Sequence, residues 1–140
     1  MSRAAQALAD LAAAIRAVPV GFGDNRAAAC TEVFARLESA VNEGAIPDVN
    51  ARHLSAALGN EERDERERLR SRNERPTAAK LTEVCRARLG DWIACNVRTG
   101  EKVTARGVLM YRAAGIQCTA IAEFVRAALD DADEDVRTSG

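Results

Sequence analysis

Alanine placed at helical spacing is the feature that most limits what this chain can fold into. Leu, Val and Ile recur every three or four residues over most of its length, and 29 alanines fill the positions between them. Side chains three and four apart share one face of a helix, whereas a half-buried strand needs strict alternation, so the pattern predicts an all-α protein. Hydrophobic residues make up 47% of the chain but aromatics only 4%, which makes the expected core thin. At roughly 25 cal/mol per Å² of buried apolar surface, alanine-lined faces stabilise little, and a second copy is expected to supply further burial in a homodimer. A chain of 140 residues has the length of one domain.

Proline and glycine divide the pattern. Ser2 can cap a first helix bearing Leu8, Leu11, Ala12, Ile15 and Val18, which Pro19, Gly21 and Gly23 end. Asp24 or Asn25 can cap a second, with Cys30, Val33, Phe34, Leu37 and Val41 on one stripe and Gly44 as its stop; the two form an antiparallel hairpin. Asp48 opens a short helix that turns Leu54, Ala57 and Leu58 inward and ends near Gly59, completing an N-terminal helical region over residues 1–59.

Residues 60–75 carry six acidic and six basic groups, with Leu69 the only large apolar side chain. That composition predicts a solvated, charged helical connector ending at Pro76. Glu62–Arg66 and Asp64–Arg68 pairs would each add a few tenths of a kcal/mol.

A C-terminal three-helix block is expected over residues 76–129. Its first helix, capped by Thr77 and closed by Gly100, carries Leu81, Val84, Cys85, Leu89, Trp92, Ile93 and Val97 on one face. Gly90 within it weakens the helix by roughly 1 kcal/mol against alanine, yet lets another backbone come close. Two further helices follow, from Val103 to Ala114 and from Gln117 to Leu129. A β-hairpin pairing Trp92–Val97 with Lys102–Tyr111 is the alternative, and the unbroken helical stripe from Leu81 argues against it.

Charge is uneven. Residues 76–129 hold eight basic and four acidic groups, whereas the acidic tail over residues 130–140 holds one basic and five acidic, so a formal net charge of −1 conceals a dipole. The tail, with Asp130, Asp131, Asp133, Glu134 and Asp135, either stays solvated or folds back on the basic block and competes with an anionic ligand.

Between the last two helices, Ala113-Ala114-Gly115-Ile116 is followed by Ile121 and Phe124. Over residues 107–127 this resembles the helix-turn-helix class in general, which implies a second helix laid in a DNA groove. On that resemblance Gln117, Thr119 and Arg126 would meet base edges or phosphates, and Lys102 and Arg106 the backbone. Tyr111 stands where the class has a small residue, and Glu123 shares the exposed face with Arg126. The six residues Asn96 to Glu101 resemble the arm tip of bacterial histone-like dimers, but without the proline-bearing arm around them they imply nothing.

Enzymatic and metal chemistry find little footing. The four cysteines form no C-x-x-C pair, and His53 is the only histidine, so no zinc site, other metal or cofactor is expected. Cys30 and Cys85 fall on apolar stripes as buried thiols, His53 reads as a capping or surface residue, and no catalytic residue is assigned. Cys118, at a helix start, is the one thiol worth testing for reactivity. Gly21-Phe22-Gly23 lacks the Lys and Ser or Thr of a phosphate loop. No uncharged apolar run reaches about 18 residues, and Asp10 and Arg16 interrupt the N-terminal Ala/Leu stretch, so a cytoplasmic protein without a membrane span is expected.

Trp92 is either the core anchor of the C-terminal half or a contact for a partner. The expected activity is therefore that of a small non-catalytic helical interaction or regulatory protein, of a bacterial, plasmid or phage kind, docking on a protein partner. The alternative is a DNA-binding regulator acting through the helix-turn-helix.

Overall fold

The computed structural model describes residues 2–21, 23–99 and 121–130. It is all-α: α1 (Arg3–Ala17), α2 (Asp24–Asn42), α3 (Ala51–Ser71) and α4 (Ala78–Thr99) are joined by a further helical stretch, α5 (121–130), and no strand occurs among the described residues. Trp92–Val97 lies within α4, which removes that half of the alternative hairpin. The expected helix from Val103 to Ala114 and the acidic tail beyond Asp130 lie outside the described residues.

Local chemistry accounts for most helix ends. Ser2 Oγ accepts the Ala5 N–H at 3.1 Å, and Thr77 Oγ1 accepts that of Lys80 at 3.2 Å, each satisfying a donor that the helix cannot. Gly44, at φ 74°, closes α2: its N–H reaches the Val41 carbonyl at 3.1 Å while that of Ala45 reaches Ala40 at 2.9 Å. Such a left-handed closing residue is cheapest as glycine. The start of α2 differs from expectation. Its N-cap residue is Gly23, without a side-chain bond, instead of Asp24 or Asn25.

α3 departs furthest from the expected pattern. It begins at Ala51, where Asn50 Oδ1 accepts the His53 N–H at 3.1 Å and His53 Nδ1 accepts the Asn50 N–H at 3.3 Å. His53 is thus half of a capping box. The helix then runs through Gly59 to Ser71, so the short helix expected to end near Gly59 and the charged connector expected after it are one element. Nothing lies within 4 Å of where a Cβ on Gly59 would sit, and no competing turn stops the helix there.

One core joins both halves of the chain. Leu11 and Ile15 from α1, Val33, Phe34 and Leu37 from α2, Leu89, Ile93 and Val97 from α4, and Ile121 and Val125 from α5 are all fully buried in it. α3 contributes only Leu54 and Ala57, from its first two turns. α2 and α4 make the most extensive helix contact, and Gly90 packs directly against the backbone of Cys30 within it. A Cβ there would lie 2.7 Å from the carbonyl carbon of Cys30, so the missing side chain is what lets the two backbones cross. Ala40 and Ala94, both fully buried, act as the expected spacers.

Candidate functional site

Beyond its second turn α3 leaves the core and is held to α4 by charge. Glu61 is only 3% exposed and accepts from Arg88 Nη1 at 2.7 Å, and Glu65 accepts from the same nitrogen at 2.8 Å. Thr82 donates to Glu62 at 3.0 Å, and Arg68 pairs with Glu65 at 3.4 Å. The Glu62–Arg66 and Asp64–Arg68 pairs expected within α3 do not form. Their carboxylates face α4 or, for Asp64, the neighbouring Arg63 at 3.8 Å.

The Arg88 hydrogen bonds hold the Glu65 carboxyl below the usual carboxylate range. Burial opposes the Arg88 charge, but its bonds to Glu61 and Glu65 outweigh that and raise its pKa. Beside this triad Leu81 and Cys85 are buried, and burial, with the Glu61 charge, pushes the Cys85 thiol up to about 11.

The composition of residues 60–75 hid this arrangement because Glu61 was counted with the solvated charges. Leu54, Ala57, Leu58, Glu61, Glu65 and Leu69 continue one stripe at spacings of three and four, and that period is the signal that could have found it.

Because α3 and α4 are fixed this way, their shared turn projects past the core. Residues 66–80 are exposed except for Leu69, which is half-buried. α3 ends in the same manner as α2, with Asn73 at φ 56° as the left-handed residue and the Glu74 N–H returning to the Leu69 carbonyl at 2.9 Å. The turn brings Arg75 alongside Arg66 and Arg70, and these guanidinium groups line a groove of about 690 Å³. Pro76, Ala78 and Leu81 give it an apolar portion, and Glu74 is its one acidic lining residue. None of the three arginines has a carboxylate partner among the described residues.

A second cluster lies where Arg26 meets α4. Arg26 pairs with Asp91 and donates to Cys95 Sγ at 3.3 Å, while the Cys95 thiol donates to Asp91 at 3.4 Å. Burial raises the pKa of Cys30 and of Cys95, and the Asp91 bond adds to it at Cys95, so both sulfurs are held as thiols. A thiol in that state is a poor nucleophile at neutral pH. Among the described residues no three metal-ligating side chains converge.

The residues assigned to DNA on sequence grounds are only partly placed. Gln117, Thr119, Lys102 and Arg106 lie outside the described residues, as does Cys118. Arg126 lies on α5, where its guanidinium donates to the Val97 carbonyl at 3.3 Å. Trp92 is half-buried on α4, packed against the core. No helix among the described residues is long and apolar enough to cross a membrane. Comparison with known proteins finds no matching family model, no matching curated protein and no matching solved structure.

Proposed function

We propose that the protein is a small, non-catalytic helical interaction and regulatory protein of the cytoplasm, and that it docks on a protein partner through the exposed end of its α3–α4 hairpin. The observation that carries this reading is the contrast between the two ends of α3. Toward the core, Glu61 and Glu65 are committed to Arg88; past it, Arg66, Arg70 and Arg75 share one groove with a single acid, Glu74, and none of the three is paired with a carboxylate among the described residues. Like charges held together are unfavourable alone and become favourable when an anionic surface arrives.

Val20 is the only large hydrophobic side chain standing exposed among the described residues, so charge is the stronger source of affinity on this surface, for a partner and for a second copy alike. Cys30, Cys85 and Cys95 are free thiols, in keeping with a reducing compartment.

The test is affinity capture with the tagged full chain and with an Arg66→Gln/Arg70→Gln/Arg75→Gln variant, each with and without nuclease. A protein retained by the parent, lost from the variant and indifferent to nuclease supports the reading. Capture that nuclease abolishes transfers the function to nucleic acid and to the helix-turn-helix alternative.

A further inference from the structure

We infer that the groove between Arg66, Arg70 and Arg75 receives an acidic amphipathic helix of the partner, one that carries two carboxylates a turn apart beside an apolar side chain. This deepens the docking proposal above and rests on it. Arg66 and Arg70 are four residues apart on α3, so their stems leave the same face about 6 Å apart along the axis. Glutamates at i and i+4 of a partner helix have that same spacing, and each guanidinium can meet a carboxylate through two parallel N–H···O bonds.

Arg75 lines the groove from across the turn, while Pro76 and Ala78 add an exposed apolar portion. Its volume of about 690 Å³ falls within the range of ligand clefts, and the groove is open to solvent along one side.

The acid in the groove decides between a peptide and a nucleic acid. Glu74 lines the groove, so a continuous phosphate backbone would meet a carboxylate along with the arginines. A protein segment avoids this conflict, because it can place a basic or neutral residue opposite Glu74 and its carboxylates opposite the arginines. Mixed charge in the groove therefore selects a mixed-charge partner.

The experiment is a fluorescence anisotropy titration of the full chain with a labelled helical peptide that repeats Glu at i and i+4 around Leu, run against the same peptide with Lys for Glu and against a single-stranded oligonucleotide. The glutamate peptide should bind most tightly, weaken as salt rises, and lose roughly tenfold or more in affinity for the Arg66→Gln/Arg70→Gln/Arg75→Gln variant. Arg52→Gln, exposed at the other end of α3, should bind as the parent does.

Circular dichroism checks that the triple variant is folded, and Arg70→Gln alone gives a second reading of the same loss. Equal binding of the lysine peptide, unchanged affinity of both arginine variants, or tighter binding of the oligonucleotide would each overturn the inference. If the peptide fails while a captured partner is still released by the arginine substitutions, the docking surface stands and the acidic-helix assignment falls.

Discussion

Replacing Gly90 with alanine sets two effects of opposite sign against each other. In an isolated helix the change gains roughly 1 kcal/mol, because glycine is the more flexible residue in the unfolded chain. In this fold the new Cβ would stand 2.7 Å from the Cys30 carbonyl carbon and closer still to its oxygen, inside the 3.0 Å that real Cβ atoms keep. The obstacle is backbone, which has no rotamer to change, so α2 and α4 must separate by on the order of 1 Å, and a gap of that size forfeits a quarter to a half of each dispersion contact it opens. Overpacking of this kind costs about 3 kcal/mol.

The net loss of about 2 kcal/mol should lower the melting temperature by roughly 6 °C. Gly59→Ala is the companion measurement, since that position is helical, exposed and open to 4 Å. It should gain the full propensity term of roughly 1 kcal/mol. Thermal and urea unfolding followed by circular dichroism would read both. A Gly90→Ala protein as stable as the parent, with Gly59→Ala stabilised, would refute the close crossing of α2 and α4.

Arg88→Met should cost about 2–3 kcal/mol in urea unfolding, because it leaves the buried Glu61 carboxylate unanswered; the figure sits at the low end for buried pairs since the Arg88 side chain is 36% exposed. Adding Glu61→Leu should recover most of that loss, and a double variant no better than Arg88→Met would show the triad is not the cause. The pH dependence follows from Glu65, whose pKa is lowered by Arg88. Its contribution is complete above the ordinary glutamate pKa of about 4.3 and is lost as pH falls through the lower folded-state value, so Glu65→Gln should flatten the acid limb of a stability-against-pH curve. In a Cys118→Ser background, prolonged maleimide labelling at mildly alkaline pH, read by intact mass, should modify exposed Cys95 slowly in the native protein, and Cys30 and Cys85 only after unfolding.

The apolar periodicity carried most of the helical layout, and particular residues show why it stopped where it did. Ser2, Gly44 and Thr77 act through short-range bonds within a few residues, so their roles were readable from neighbours alone. Gly90 was legible as a place for close approach, because a glycine inside a strong apolar stripe has few other uses. Gly59 misled, since a glycine followed by a change of composition looks like a stop. What stops a helix is a left-handed residue whose following N–H bonds back, and Asn73 supplies that at the true end.

The groove stayed hidden for a related reason. Six acids and six bases cancel when summed along the segment, but they separate by face once Glu61 and Glu65 turn to Arg88 and leave Arg66 and Arg70 outside. Which charges meet depends on Arg88 of α4, more than 20 residues away in the chain, and no count within α3 could supply it.

At the other pole guanidinium groups meet main-chain oxygens. There Arg98 donates to the Arg16 carbonyl at 3.4 Å, Arg126 to that of Val97 at 3.3 Å, and Arg16 to that of Leu129, so α1, α4 and α5 are tied by guanidinium groups bound to main-chain oxygens. The α3–α4 hairpin is tied in part through Glu65, whose carboxyl Arg88 holds below the usual range. Acid should therefore loosen the Glu65–Arg88 contact and with it the tie that fixes the arginine-lined end.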